Sequence, residues 1–400
     1  MKVLQLCNKP PQPTIDGGCI AINNISKGLL AKDISLKILT IATEKHPFIP
    51  TAFSEEFQEK TNIEGVFVDT RVNIIDAFSA LITSDSYNIS RFFSPDFDKK
   101  LTEILQEDTY DVVHLESLFM TPYIQTIRTY SKANVVLRSH NLEHLLWERL
   151  ANSTGNKAKR IYLKHLASRL KVYEKKTINE VEGIATISYE DTERFASLTK
   201  KIPILTVPFG IDLGDYKCEG NKRPKKNRFF HIGAMNWEPN KEAINWFMDA
   251  IWPSVKGLDI ELHLAGRHIP GYMMEQADEN FIVHGEVDSA TCFMADHDVM
   301  VVPLLSGSGV RVKIIEAMAM GKAVITTSVG AEGIDCEDGK HLFIADTADA
   351  FAHQMQFLLD SPNKVDEIGN NARLLVEGKY DNDKVVDNLI QFYQELNQEM

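Results

Sequence analysis

A chain of 400 residues is too long for one ordinary hydrophobic core and suits two domains. Its composition, 44% hydrophobic and 25% charged, is that of a globular protein, and no apolar run approaches the ~18 residues that span a bilayer. A net charge of −13 argues against nucleic acid as the main partner. At the N-terminus, MKVLQLCNKPPQPT is a short apolar run broken by Asn8 and Pro10, which reads as a strand and lacks the h-region of a signal peptide. Five scattered cysteines without a C-x-x-C pair read as reduced thiols of a cytoplasmic protein.

Short β-rich runs alternate with helical segments along the chain, the pattern of parallel sheets with helices on both faces. Strands are expected at Val3–Cys7, Leu36–Ile41, Gly65–Val68, Val112–Leu115, Asn134–Arg138, Gly183–Ile187 and Ile204–Val207. After the first strand, Asp16, Gly17 and Gly18 offer a close backbone approach and helix N-terminal amides; an ordinary strand-to-helix turn has the same residues. His140 follows the fifth strand, so it is expected at a strand's carboxyl end, where ligands of such sheets bind. The same run, His140 to His144, spells H-x-x-E-H, a zinc-peptidase pattern. That site needs both histidines on one helix face, and here the first stands before a helix starting at Asn141 or Leu142, so zinc is not expected.

Residues 156–176 form a locally basic helix, with eight lysines and arginines against Glu174. Its wide apolar spread fits a surface helix with a partly buried face; a solvated face and peripheral contact with anionic lipid both fit the charge. Between Pro208 and Arg228 the chain turns rich in glycine, proline and charge, and residues 209–228 read as a linker. A second α/β series follows, with strands at Phe229–Gly233, Ile260–Ala265, Phe281–His284, Val299–Pro303, Ala323–Thr327 and His341–Ile344. The expected organisation is a domain over 1–208, the linker, a second domain over 229–380, and an amphipathic helix over 381–400 packing back toward the first domain. Asp-x-Asp pairs at Asp96/Asp98, Asp296/Asp298 and Asp381/Asp383 lie at helix starts or a strand entry, where aspartate caps or solvates, so no essential metal is expected.

The most informative stretch is LLSGSGVRVKIIEAMAMGKAVITTS, residues 304–328. A turn of Ser306, Gly307, Ser308 and Gly309 leads into a helix, placing backbone N–H groups and the positive dipole end where they hold phosphate. Arg311 and Lys313 are expected in the first turn, where cations oppose the dipole and point to a bound anion. Glu316, one turn on, is placed to accept from ribose hydroxyls, as acidic residues do in dinucleotide folds. The residues alone therefore suggest a nucleotide-diphosphate site.

Five pieces in order carry a family resemblance: HIGAMNWEPNKEAI (231–244), LHLAGR (262–267), VHGEV (283–287), DVMVVPLLSGSGVRVKIIEAMAMGKAVITT (298–327) and VGAEGIDCEDGKHLFIAD (329–346). Together with RSHNLEHLLWER (138–149), they resemble the family-4-like, group 1 retaining glycosyltransferases of the GT-B fold. The resemblance implies an α/β protein of two Rossmann-like, doubly wound domains facing across a cleft. It also implies a nucleotide-diphosphate sugar as co-substrate, with no further cofactor. Such enzymes carry two glutamates separated by seven residues; Glu316 matches the second, and Ser308 stands at the first. An arginine and a lysine that clamp the diphosphate are represented by Lys241, with Ala234 and Met235 where the arginine is sought. Arg311 and Lys313 are near enough in sequence to supply that charge.

By the same resemblance Gly17, Gly18 and Gly233 belong to ligand-facing loops, and His140 lies beside the donor sugar. Glu332 follows the next strand with its role open. The implied function is transfer of a sugar, with retention and without a metal, to a hydroxyl of a glycan or lipid-linked glycan. The setting is the cytoplasm or the inner face of the membrane. Two other readings remain: a nucleotide-sugar epimerase of the same architecture, and a non-catalytic nucleotide-sugar-binding protein.

Overall fold

A computed structural model describes residues 1–69, 92–216, 228–307 and 309–398. The chain divides into two compact units, Met1–Gly210 with Val385–Met400, and Ile211–Lys384.

The first unit is built on β1 (Lys2–Cys7), β2 (Ser35–Ala42), β3 (Glu64–Phe67), β4 (Val112–Glu116), β5 (Asn134–Ser139), β6 (Gly183–Thr186) and β7 (Ile204–Thr206). They lie in the order β3-β2-β1-β4-β5-β6-β7, every pair parallel. Period-two alternation sends Leu4, Leu6, Val113, Leu115, Val135 and Leu137 into one core layer and Val3, Cys7, Val112 and Val136 into the other. The second layer is completed from the far end of the chain. Helix Asn382–Gln398 places Val385, Val386, Leu389, Phe392, Tyr393 and Leu396 there, all buried.

In the second unit β8 (Arg228–Ile232), β9 (Glu261–Ala265), β10 (Phe281–Gly285), β11 (Val299–Val302), β12 (Ala323–Thr326) and β13 (Phe343–Ile344) form a parallel sheet. Its order is β10-β9-β8-β11-β12-β13. Both units thus have the doubly wound order in which the chain starts in the middle, runs to one edge and returns to fill the other. The reversal falls between β1 and β4 in one unit and between β8 and β11 in the other. Loops at the carboxyl ends of those strands diverge, and the opening between them is where such sheets bind ligands.

All thirteen expected strands form, with ends within two residues of those read from the sequence. The second unit begins at Ile211, inside the stretch expected to be linker, because Ile211 pairs with Asp381 as an isolated bridge. The remainder of that stretch, 217–227, lies outside the described residues, as does Ser308. Among the described residues no helix is long and apolar enough to cross a membrane.

Candidate active site

The glycine turn after β11 is anchored to the helix that follows β8. Ser306 Oγ donates to Glu242 Oε2 at 2.6 Å, and the guanidinium of Arg311 lies 5.7 Å from the ring centre of Trp237. Arg311 also donates through Nη1 to the Gly309 carbonyl. These contacts require the turn to double back, which Gly307 (φ 122°) and Gly309 (φ 79°) allow in a region that side chains disfavour. Arg311 is the N-cap residue of helix Val312–Ala319 and does not lie in its first turn; its side chain is buried. A cation drawn into the loop that fronts a helix N-terminus raises the positive potential there, the setting that favours a diphosphate.

One turn along this helix Glu316 is buried, and its carboxylate is already engaged. Tyr216 donates its hydroxyl to Oε1 at 3.0 Å, and Lys313 Nζ lies 2.6 Å from Oε2. Burial and the carboxylate both push the Tyr216 phenol well above its ordinary range, so it remains a donor. Lys241 sits on helix Glu238–Trp246 with Nζ 2.7 Å from Glu238. Gly233, the first residue after β8, faces Gly266: a Cβ on Gly266 would stand 1.8 Å from the Gly233 carbonyl oxygen, so the two loops fit only with glycine there. Glu332 closes the short helix Ser328–Ala331 after β12.

The first unit gathers a different set at its own reversal point. Gln5, His114, Glu116 and Arg138 lie on β1, β4 and β5, in register as Gln5 with His114 and Glu116 with Arg138. Glu116 is fully buried and accepts four hydrogen bonds. Gln5 Nε2 (2.9 Å) and His114 Nε2 (3.1 Å) donate to Oε1, and Arg138 Nη1 (3.2 Å) and His140 Nε2 (3.0 Å) donate to Oε2. Burial opposes the charge of Glu116, but Arg138, His114 and the donated hydrogen bonds outweigh it and hold the carboxyl well below the usual range. His140 stands one residue past β5. Burial lowers its pKa against the pull of Glu116, so the ring is neutral with Nδ1 as its acceptor atom. Arg138 keeps Nε and Nη2 without a hydrogen-bond partner among the described residues.

Nearby, Gly17 and Gly18 open helix Gly17–Ala31, capped by Asp16. Asp16 accepts from the Cys19 N–H (3.0 Å) and from Lys9 Nζ (2.9 Å), and His46 Nε2 lies 2.9 Å from its other oxygen. Asp16, Cys19 and His46 have metal-ligand spacing, but Lys9 already neutralises the carboxylate.

His140 and His144 take separate carboxylates. His144 Nδ1 bonds Glu174, which also accepts the N–H groups of Glu143 (2.8 Å) and His144 (3.1 Å). Glu174 is therefore the N-terminal cap of helix Glu143–Ser153, supplied by the basic helix, now bounded as Lys157–Thr177. The Asp-x-Asp pairs include groups that serve local hydrogen bonds: Asp98 accepts from Thr126 Oγ1 (2.5 Å), Asp298 from the Arg228 N–H (3.1 Å) and Asp381 from the Asp383 N–H (3.2 Å).

Sequence reading missed Tyr216, Trp237 and Glu242 around the glycine turn, and Glu116 with Arg138 beneath His140. Trp237 and Glu242 fall within the 231–244 motif, so their position was the available signal. Glu116, in the strand VVHLE, was signalled only by a charge at the end of a buried run.

Residues 226–361 match the family model described as "Glycosyl transferases group 1". The matched stretch lies within the second unit. Sucrose-phosphate synthase from Thermosynechococcus elongatus superposes on the chain with a TM-score of 0.72 at 15% identity, covering 100% of both. HepE from Anabaena, solved with UDP, gives 0.67 at 14% identity over 99% of this chain and 100% of its own. The pneumococcal O-GlcNAc transferase GtfA, solved with UDP and GlcNAc, gives 0.64 at 12% identity over 99% of each. These likenesses establish the GT-B fold class. In sequence, the chain is 26% identical over 306 residues to an uncharacterized 44.6 kDa protein in the cps region of Klebsiella pneumoniae, covering 72% of this chain and 76% of that one.

Proposed function

We propose that the protein is a retaining glycosyltransferase that moves a sugar from a nucleotide-diphosphate sugar to an acceptor hydroxyl without a metal. The observation that carries this reading is the assembly at the β8–β11 reversal point: a glycine turn, Arg311 drawn against Trp237, and Glu316 held by Tyr216 and Lys313. The phosphates take the turn and Arg311. Lys313 leaves Glu316 to reach the leaving diphosphate, and Glu316 then accepts from the ribose. In the transfer the bond from the anomeric carbon to the diphosphate oxygen breaks, and the acceptor oxygen bonds the same face. The acceptor proton passes to the departing phosphate. Such a step needs no enzymic nucleophile; positioning and charge stabilisation supply the rate. The first unit, with His140 oriented by Glu116, is assigned to the acceptor side.

UDP complexes among the structural relatives make uridine nucleotides the first to test. A relative from a cps region supports a polysaccharide precursor as acceptor. On the basic helix Ile161 and Val172 are 71% and 67% exposed among lysines, which supports peripheral docking on anionic lipid. Co-sedimentation with phosphatidylglycerol vesicles, reversed by salt, tests that contact; no sedimentation at low salt removes it.

The test of function is a thermal-shift panel of UDP, GDP, ADP and their sugars, followed by mass analysis of the stabilising donor incubated with acceptor extract. Transfer yields free nucleoside diphosphate and a heavier acceptor. A changed sugar on an intact diphosphate would make it an epimerase, and binding without any turnover would make it a binding protein.

A further inference from the structure

We propose that His263, His284 and His297 form a binding site for a divalent transition-metal ion such as Zn²⁺, clamping edge strand β10 to the sheet of the second unit. One ring nitrogen from each lies within 4.8 Å of the others. None of the three is assigned to donor binding, and transfer does not run through this ion.

The three side chains come from separate elements. His263 is central in β9, in register with Phe230 of β8. His284 is the extra residue of an irregularity in β10, where the pairing of Val283 with Leu264 passes directly to Gly285 with Ala265. His297 follows helix Ala290–Ala295, its ring 4.3 Å from that of His263 and 4.3 Å from Phe293. A bulge leaves its extra residue outside the ladder and re-aims the side chain; here the His284 ring stacks 5.2 Å from His263.

Hydrogen bonds fix which nitrogens are available. His297 Nδ1–H donates to the Phe293 carbonyl at 2.5 Å, leaving the lone pair on Nε2. His263 Nε2 lies 3.2 Å from the Glu261 carboxylate, which can only accept, so Nε2 donates and the lone pair is on Nδ1. Nδ1 is the atom that faces His284 Nε2, at 2.9 Å. A carboxylate behind one imidazole and a carbonyl behind another are the supports that orient metal-binding histidines. Zinc–nitrogen bonds of ~2.0–2.1 Å place tetrahedral nitrogens roughly 3.4 Å apart, so the His263–His284 pair opens by a few tenths of an ångström to admit the ion. His284 is exposed, which permits that adjustment and leaves the fourth position to water. Of two nearby cations, Arg228 is balanced by Glu261 at 3.4 Å, and Lys322 is turned to the backbone, its Nζ donating to the His297 carbonyl at 2.6 Å. Imidazole donors select Zn²⁺, Cu²⁺ or Ni²⁺ over Mg²⁺ or Ca²⁺.

The experiment is titration of the chelator-treated full chain with Co²⁺, read by visible absorption, and then displacement by Zn²⁺. A tetrahedral band saturating at one ion per chain and abolished by Zn²⁺ is expected, with a higher melting temperature in Zn²⁺ than in chelator. Because removing a supporting partner alone weakens metal sites by roughly 10–100-fold, His284→Ala should weaken binding by at least about a hundredfold. That variant should melt like wild type in chelator, since the side chain it loses is exposed. His46→Gln, at the other ligand-spaced cluster, should leave the band unchanged. No band in the wild-type chain, or a band that survives His284→Ala, overturns the proposal.

Discussion

Arg311 and His231 show how single side chains set measurable properties of the second unit. Arg311 is a planar cation held by a tryptophan face and a carbonyl of its own loop, so its position is fixed before any ligand arrives. Charge-assisted hydrogen bonds are worth about 1.5–3 kcal/mol, so Arg311→Ala is expected to lower donor turnover by roughly tenfold to a hundredfold in a nucleotide-release assay. Arg311→Lys should recover little, because an ammonium has no flat face to stack. Wild-type turnover in Arg311→Ala would remove this residue from the site. His231, on β8, is buried with Nδ1–H donating to the Val301 carbonyl at 2.8 Å, and burial pushes its pKa down to about 4. An unfolded histidine titrates near ~6.5, so as pH falls the unfolded chain takes up the proton first. Stability from this residue is complete above about pH 6.5 and is lost progressively toward pH 4. Denaturation of wild type and His231→Gln across this range should show a shallower pH slope in the variant.

At the scale of elements, the basic helix Lys157–Thr177 shows where sequence reading stopped. Eight cations against one acid read as a surface helix, and the exposed Ile161 and Val172 fit that reading. The single acid is the exception. Glu174 is buried and caps helix Glu143–Ser153, a tertiary role that no spacing within its own helix reveals. Glu174→Ala leaves two helix N–H groups and His144 without their acceptor, and hydrogen bonds to a charged group are worth ~1.5–3 kcal/mol each. Water entering the emptied site offsets part of that sum, so a loss of about 2–4 kcal/mol in urea denaturation is expected; a loss below about 1 kcal/mol would show that water replaces the cap. Strands, by contrast, were legible almost to the residue, because runs such as Val112–Leu115 and Val299–Val302 are buried on both faces and bounded by polar turns. The glycine turn was legible through its own residues. Trp237, which holds it, lies about seventy positions away, and only the return of the chain at the β8–β11 reversal brings them together.

For the whole molecule, the proposed donor site belongs to one of the two units, and ligand binding should report that. A nucleotide at a hundred times its dissociation constant adds roughly 2.7 kcal/mol to whatever folds around it. Hydrogen exchange with saturating UDP should therefore slow amides in Ile211–Lys384, most around residues 303–320, more than those in β1 to β7. Protection confined to the first unit would relocate the donor. Partition of the chain carries a last consequence, because Val385–Met400 complete the first unit although they follow the whole of the second. On the ribosome the opening 210 residues emerge with all seven strands of their sheet but with an incomplete layer over one face. His114 waits for Tyr393, and the face that holds Val3, Val112 and Val136 is covered only in part, by Ile22, Ile25 and Leu29, until the final turns of helix are made. Synthesis thus builds the proposed nucleotide-binding half to completion before the half that begins the chain can close its core.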